Sequence, residues 1–178
     1  VIFIASVTIF SFVNWKFYIC KEGIYLRKID LFVAWDEIRG LSHVWINEYH
    51  RGPHGFLFYN RKTLVIYRKN YQPICLYNIS LLALYVAKCY HPKLKTNMVS
   101  ATLASLFNMA LNAWFLYEML SKNLVNIKAE VFMFWLLLYA VKVFALPLIM
   151  LGYENHCYGV SLAHSTAYKK NASKAIHL

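Results

Sequence analysis

The residue types that do chemistry are sparse in this chain, and their spacing suits catalysis poorly. Asp36 and Glu37 are adjacent acids. Neighbours on a strand point to opposite faces, so they cannot work as a paired acid and base. A turn or a solvated pair after Trp35 is the expectation. His50-Arg51-Gly52-Pro53-His54 could bring two imidazoles to one metal. No Cys, Asp or Glu at ligand spacing joins them. Glu154-Asn155-His156-Cys157 with His164 has the same shortcoming, because zinc sites pair their ligands at short spacing. The six glycines form no phosphate loop, and neither a Gly-x-Ser-x-Gly elbow nor a His-Glu-x-x-His pair occurs. The expectation is a protein that is not an enzyme and has no cofactor and no metal.

The informative polar residues lie inside apolar runs. Lys142 interrupts the run 131–151, and a charge at membrane depth is costly enough to be a functional hypothesis. Asn108 and Asn112 are one helical turn apart in the run 98–117, so they share a face and could bond another helix or another protein. Lys142, Asn108 and Asn112 are therefore the candidate partner-binding residues. Pro147 should kink the later run and leave a carbonyl free.

These residues need helices to carry them, and composition supplies the helices. The chain has 178 residues, of which 60% are hydrophobic and 15% charged, with a net charge of +11. Soluble domains carry about 45–50% apolar and about 25% charged residues. Disorder is excluded by the hydrophobicity, and a disulfide scaffold by four scattered cysteines. About 20 apolar residues cross a bilayer, which the two later runs satisfy. Residues 1–13 form a shorter uncharged run, read as the inner end of a truncated span reaching to residue 15, with a cleaved signal peptide as the rival reading. Trp15, Trp114 and Trp135 fall near span ends, where aromatic belts sit.

Charge sets the orientation. Residues 16–95 hold thirteen Lys and Arg against five Asp and Glu, while the charges of 118–130 cancel. Positive segments stay cytoplasmic, which places 16–95 and the tail 153–178 inside and the loop 122–130 outside. Lys93, Lys95, Lys169 and Lys170 stand at the membrane entrance and are candidates for contact with anionic lipid head groups. Nucleic-acid binding is disfavoured, since Arg61, Lys62, Arg68, Lys69 and Tyr71 make only a modest patch.

Between the first two spans the pattern is β. Residues 17–21 and 24–28 read as a hairpin around Glu22-Gly23, with Gly23 supplying a positive φ. Strands follow at 31–35, 41–49, 55–60, 64–67 and 73–79, with a loop at 51–55 and turns at 61–63 and 69–72. Val44 and Ile46 should share one face and Trp45 should take the other. A helix capped by Ser80 and ended by Pro92 carries Leu81, Leu82, Tyr85, Val86 and Cys89 at helical spacing.

The run Lys21-Glu22-Gly23-Ile24, then Trp35-Asp36-Glu37-Ile38, then further strands and a terminal helix resembles bacterial PH-like domains of small membrane proteins. Those commonly read Glu-Gly-Ile and Trp-x-Glu-Ile in this order beside paired spans. The resemblance implies a small pleckstrin-homology-type β-barrel with a C-terminal helix and transfers no catalytic residue. The expected fold is thus a membrane protein of α+β class, organised as 1–15 span, 16–95 PH-like domain, 96–121 span, 122–130 external loop, 131–152 span and 153–178 basic tail. The expected location is the bacterial inner membrane. The expected task is binding a membrane protein partner in self-protection, as plasmid-exclusion or bacteriocin-immunity proteins do. Heavy use of Tyr, Phe, Ile, Asn and Lys fits an AT-rich mobile element. A lipid-binding or scaffolding role, or a transporter accessory subunit, is the alternative, and a homo-oligomer is allowed.

Overall fold

The computed structural model describes residues 17–52, 55–122, 128–160, 162 and 175–178, with the side chains of 48–59 and 122 outside that description. The expected span 1–15 falls outside the described residues, as do Lys169, Lys170, His164 and the side chains of His50 and His54. Among the described residues the fold is mixed α+β, with two sheets and three helices.

The first sheet is an antiparallel meander of β1 (Phe17–Ile19), β2 (Gly23–Leu26) and β3 (Leu31–Ala34). Gly23 does not supply the positive φ expected of it. It is required for space: it stands opposite Ala34, and a Cβ there would overlap the Val33 carbonyl. The positive φ falls instead on Asp30, at 49°, whose carboxylate accepts the Tyr25 hydroxyl at 2.5 Å and closes the next turn. Asp36 and Glu37 do sit in a turn, where the Glu37 N–H donates to the Ala34 carbonyl. The Glu37 carboxylate pairs with Arg68 at 3.5 Å and ties the first sheet to the second.

The second sheet has the order β4 (Ile38–Gly52), β5 (Gly55–Arg68), β6 (Ile74–Tyr77) and β7 (Ile176–His177). The expected turn at 61–63 is absent: Arg61, Lys62 and Thr63 continue β5 and oppose Ile46, Trp45 and Val44. Likewise the expected loop at 51–55 is only the tip of this hairpin, since Gly52 and Gly55 are still in register. Three consecutive polar residues read as a turn locally, yet a two-stranded ribbon about 45 Å long tolerates them as rungs. The tail is also more than a basic extension, because Ile176 and His177 add to β6 in parallel.

Both faces of the second sheet are covered, which is why β6 is apolar and buried along its whole length. Leu41, Leu64, Ile66, Ile74 and Leu76 point to a core shared with the first sheet and with α1 (Leu82–Tyr90). Val44, Val65, Tyr67, Cys75 and Tyr77 point to a second core under the two long helices. The Ser80 hydroxyl accepts the Leu82 N–H at 3.3 Å, and α1 ends before His91 and Pro92. Of the apolar positions read from the sequence, Leu81 packs against the core shared with the first sheet. Ala83, Leu84 and Ala87 are buried, while Leu82, Tyr85, Val86 and Cys89 face outward. Leu84 fills the core between two alanines, and a second apolar stripe is left outside.

The long helices are α2 (Met98–Lys122) and α3 (Ala129–Tyr158), and both are long and apolar enough to cross a membrane. The second runs past the expected end at 152 because its last turns rest on β4. It is α-helical to Ala140, forms a π-turn at Val141–Ala145 and resumes as an α-helix at Leu146. Gly159, at φ 67°, caps its end in the left-handed conformation.

Candidate junction site

A cavity of about 880 Å³ opens where the long helices meet the sheet. Drug-sized ligand pockets are of about this size. Three segments frame it: β4, the end of α1 with the strap 95–97, and the facing ends of α2 and α3. The strap runs along the edge of β4. The Leu41 N–H donates to the Lys95 carbonyl at 2.9 Å. Asn97 locks the next position by accepting the His43 N–H at 2.8 Å and donating to its carbonyl at 3.0 Å. This side-chain clamp sets where α2 begins and shields an exposed sheet edge.

The cavity floor is polar. Glu154 is 1% exposed, and its Oε2 accepts the Tyr67 hydroxyl at 2.8 Å. The Tyr67 ring stacks on Tyr158 with 3.7 Å between centroids and 6° between planes, and Arg39 lies over the outer face of Tyr158 at 5.4 Å. Burial, followed by the Glu154 charge, raises the Tyr67 phenol above its ordinary range, so it acts as a donor and not as a phenolate. The buried Ser42 hydroxyl lies beside Glu154 and Tyr158 without a well-formed hydrogen bond. A side chain at Gly40 would collide with the Tyr158 hydroxyl, so this contact depends on glycine. Behind the strap, His43 is fully buried with Nε2 facing the Ile79 carbonyl at 3.0 Å. Burial lowers its pKa and keeps it neutral, so Nε2 carries the proton.

The rim is cationic. Arg39 comes from β4, Lys88 from α1 and Lys95 from the strap. Lys95 is one of the four lysines expected at the membrane entrance; Lys93 is exposed but does not line the cavity. Arg39, Lys88, Ser42 and Tyr67 were not legible as site residues, because nothing local marks residues that only the fold brings together. Glu154 carried a signal, being an isolated acid at the end of a long apolar run, but its metal-ligand reading has no support. It turns inward to Tyr67, while Cys157 is exposed.

The other candidates sit farther along the helices. Lys142 lies in the π-turn, half-buried, with Nζ 4.5 Å from the centre of the Tyr139 ring. Pro147 has no N–H to give the carbonyl four residues earlier, which belongs to Val143. The Asn60 side chain fills that vacancy, donating to the Val143 carbonyl at 3.0 Å while bonding Asn47 across the ribbon. A π-turn beside a proline is thus stitched to the β-hairpin. Asn108 and Asn112 bond each other along α2 at 3.3 Å, and no hydrogen bond joins them to Lys142. Between the helices the packing is aromatic: Phe115 stacks on Trp135 at 4.2 Å, and the Trp135 N–H reaches the Leu111 carbonyl at 3.4 Å. No protein-family model, curated protein or solved structure matches the chain.

Proposed function

We propose that this chain is a non-enzymatic membrane protein that binds another membrane-inserted protein. In this reading α2 and α3 form a hairpin in the bacterial inner membrane, and the PH-like domain and C-terminus face the cytoplasm. The observation that carries the reading is the outer surface of the hairpin. Leu103, Met109, Leu120, Met133, Leu137 and Leu148 are all more than half exposed. An apolar surface of that extent is unfavourable in water and ordinary in lipid. The outward stripe of α1 supports the same placement, since Leu82, Tyr85 and Tyr90 suit a helix lying at the interface. Pairing of β7 with β6 supports one side for the domain and the C-terminus.

Self-protection, as plasmid exclusion or bacteriocin immunity, is the task that fits such a binder. Lys142 and the exposed Asn112 are its polar marks for a partner within the bilayer. A periplasm-specific reporter should be active when fused at Asn123 and silent when fused at Asn60; the reverse pattern defeats the topology. Lys142→Leu should abolish protection while membrane levels stay unchanged, and retained protection removes Lys142 from the interface. A lipid-binding role is the second reading, favoured by the cations around the junction cavity.

A further inference from the structure

We propose that the junction cavity binds the phosphate of an anionic membrane lipid. Arg39, Lys88 and Lys95 would form its cationic wall and the first turn of α2 its amide donors. This rests on the membrane placement proposed above. Charge that only orients a protein needs to be near a span; it does not need to converge. Here three cations from three separate elements line one cavity. Lys88 spends one N–H on the Pro92 carbonyl, at 2.7 Å, and keeps two for a ligand. The one acid on the lining, Glu154, is buried and already accepts Tyr67, so the mouth is net positive.

The first turn of α2 adds a second anion-seeking element. Its first backbone bond joins the Ala101 N–H to the Asn97 carbonyl at 3.0 Å, which leaves the N–H groups of Met98, Val99 and Ser100 without helical acceptors. All three residues line the cavity, and no acid occupies that turn. Deeper in, the buried Ser42 hydroxyl lacks a well-formed bond and could donate to a phosphate oxygen. The opposite wall is apolar: Val99 is 72% exposed and Ile149 66% exposed, on the sides of α2 and α3 that lead into the bilayer. A free phosphate would leave that wall wet. A lipid would cover it with its acyl chains, and this selects the lipid as the source.

Cys157 lines the cavity and is exposed, so its alkylation reports on occupancy. Cys75 will not interfere, because burial removes it from solvent and pushes its thiol up to about 12. The full chain carrying Cys20→Ser and Cys89→Ser is placed in nanodiscs of phosphatidylcholine, with or without phosphatidylglycerol. Phosphatidylglycerol should slow Cys157 alkylation, and Arg39→Gln with Lys95→Gln should remove that protection. Native mass spectrometry of the same samples should show about fivefold less retained lipid for each charge removed. Lys93→Gln, the same charge loss outside the cavity, should retain protection. Equal alkylation in both nanodiscs overturns the site, and loss of protection in Lys93→Gln reduces it to general surface charge. Equal protection by glycerol phosphate in detergent overturns the lipid as source. Release of the chain from native membranes by alkaline carbonate would defeat the membrane placement itself, and the proposal with it. An inserted chain without protection defeats the pocket alone.

Discussion

Glu154 and Lys142 are two charged residues about three turns apart on one apolar helix, and the fold treats them differently. Glu154 lies where the helix rests on β4, is sealed from solvent and has a buried phenol bonded to it. Lys142 lies where the sheet gives way to the distal hairpin, half-buried over the Tyr139 ring. The acid is consumed by the protein's own packing, whereas the lysine keeps its capacity for a partner. A polar residue in an apolar helix is thus informative about function only once the covering surface is known.

Breaking the covered member should have the larger effect. Glu154→Leu leaves the Tyr67 hydroxyl buried without an acceptor and should cost about 3 kcal/mol in detergent-solubilised protein. Adding Tyr67→Phe should recover at least half of that, and thermal unfolding of the four-member cycle measures it. Asn60→Ala removes the donor that satisfies the Val143 carbonyl beside Pro147 and should cost about 1–2 kcal/mol by the same assay. Acid should act on the covered region as well. His43 has a folded pKa below its ordinary 6.5, so the unfolded chain takes up its proton first. Its contribution is complete above that pH and is lost as the pH falls toward the depressed folded value, at up to about 1.4 kcal/mol per pH unit. His43→Gln should flatten that part of a stability–pH profile. The smallest effect belongs to Lys142→Leu, which loses only a partly exposed cation–π contact, at about 0.5 kcal/mol. An unfolding shift as large as that of Glu154→Leu would erase the contrast between the two residues.

The same contrast explains what the sequence revealed. Short runs of β-forming residues between turn residues made β2, β3 and β6 legible, and long apolar runs made the long helices legible. Lys142 and the carbonyl freed by Pro147 were also legible, because both follow from the helix alone. The donor for that carbonyl was not, since Asn60 is remote in sequence and reaches Val143 only through the ribbon. The ribbon was itself hidden, because Arg61-Lys62-Thr63 has turn composition and only pairing with β4 overrides it. The burial of Ala83, Leu84 and Ala87 was not legible, because both faces of α1 are apolar. The cavity wall was beyond local reading for the same reason as Asn60. Arg39, Lys88 and Lys95 belong to three elements, and the Asn97 clamp on His43 helps to align the last of these with β4.

The proposed membrane placement immerses α2 and α3 in lipid beyond the junction, and acyl-chain quenching addresses it directly. Leu106 and Leu137 are 49% and 61% exposed, so little of the protein itself shields them. An environment-sensitive fluorophore is attached at Leu106→Cys or Leu137→Cys and compared with one at native Cys157, in nanodiscs whose acyl chains carry bromine. Strong quenching is expected at both helix positions and weak quenching at Cys157. Quenching at Leu106 and Leu137 no stronger than at Cys157 would contradict it.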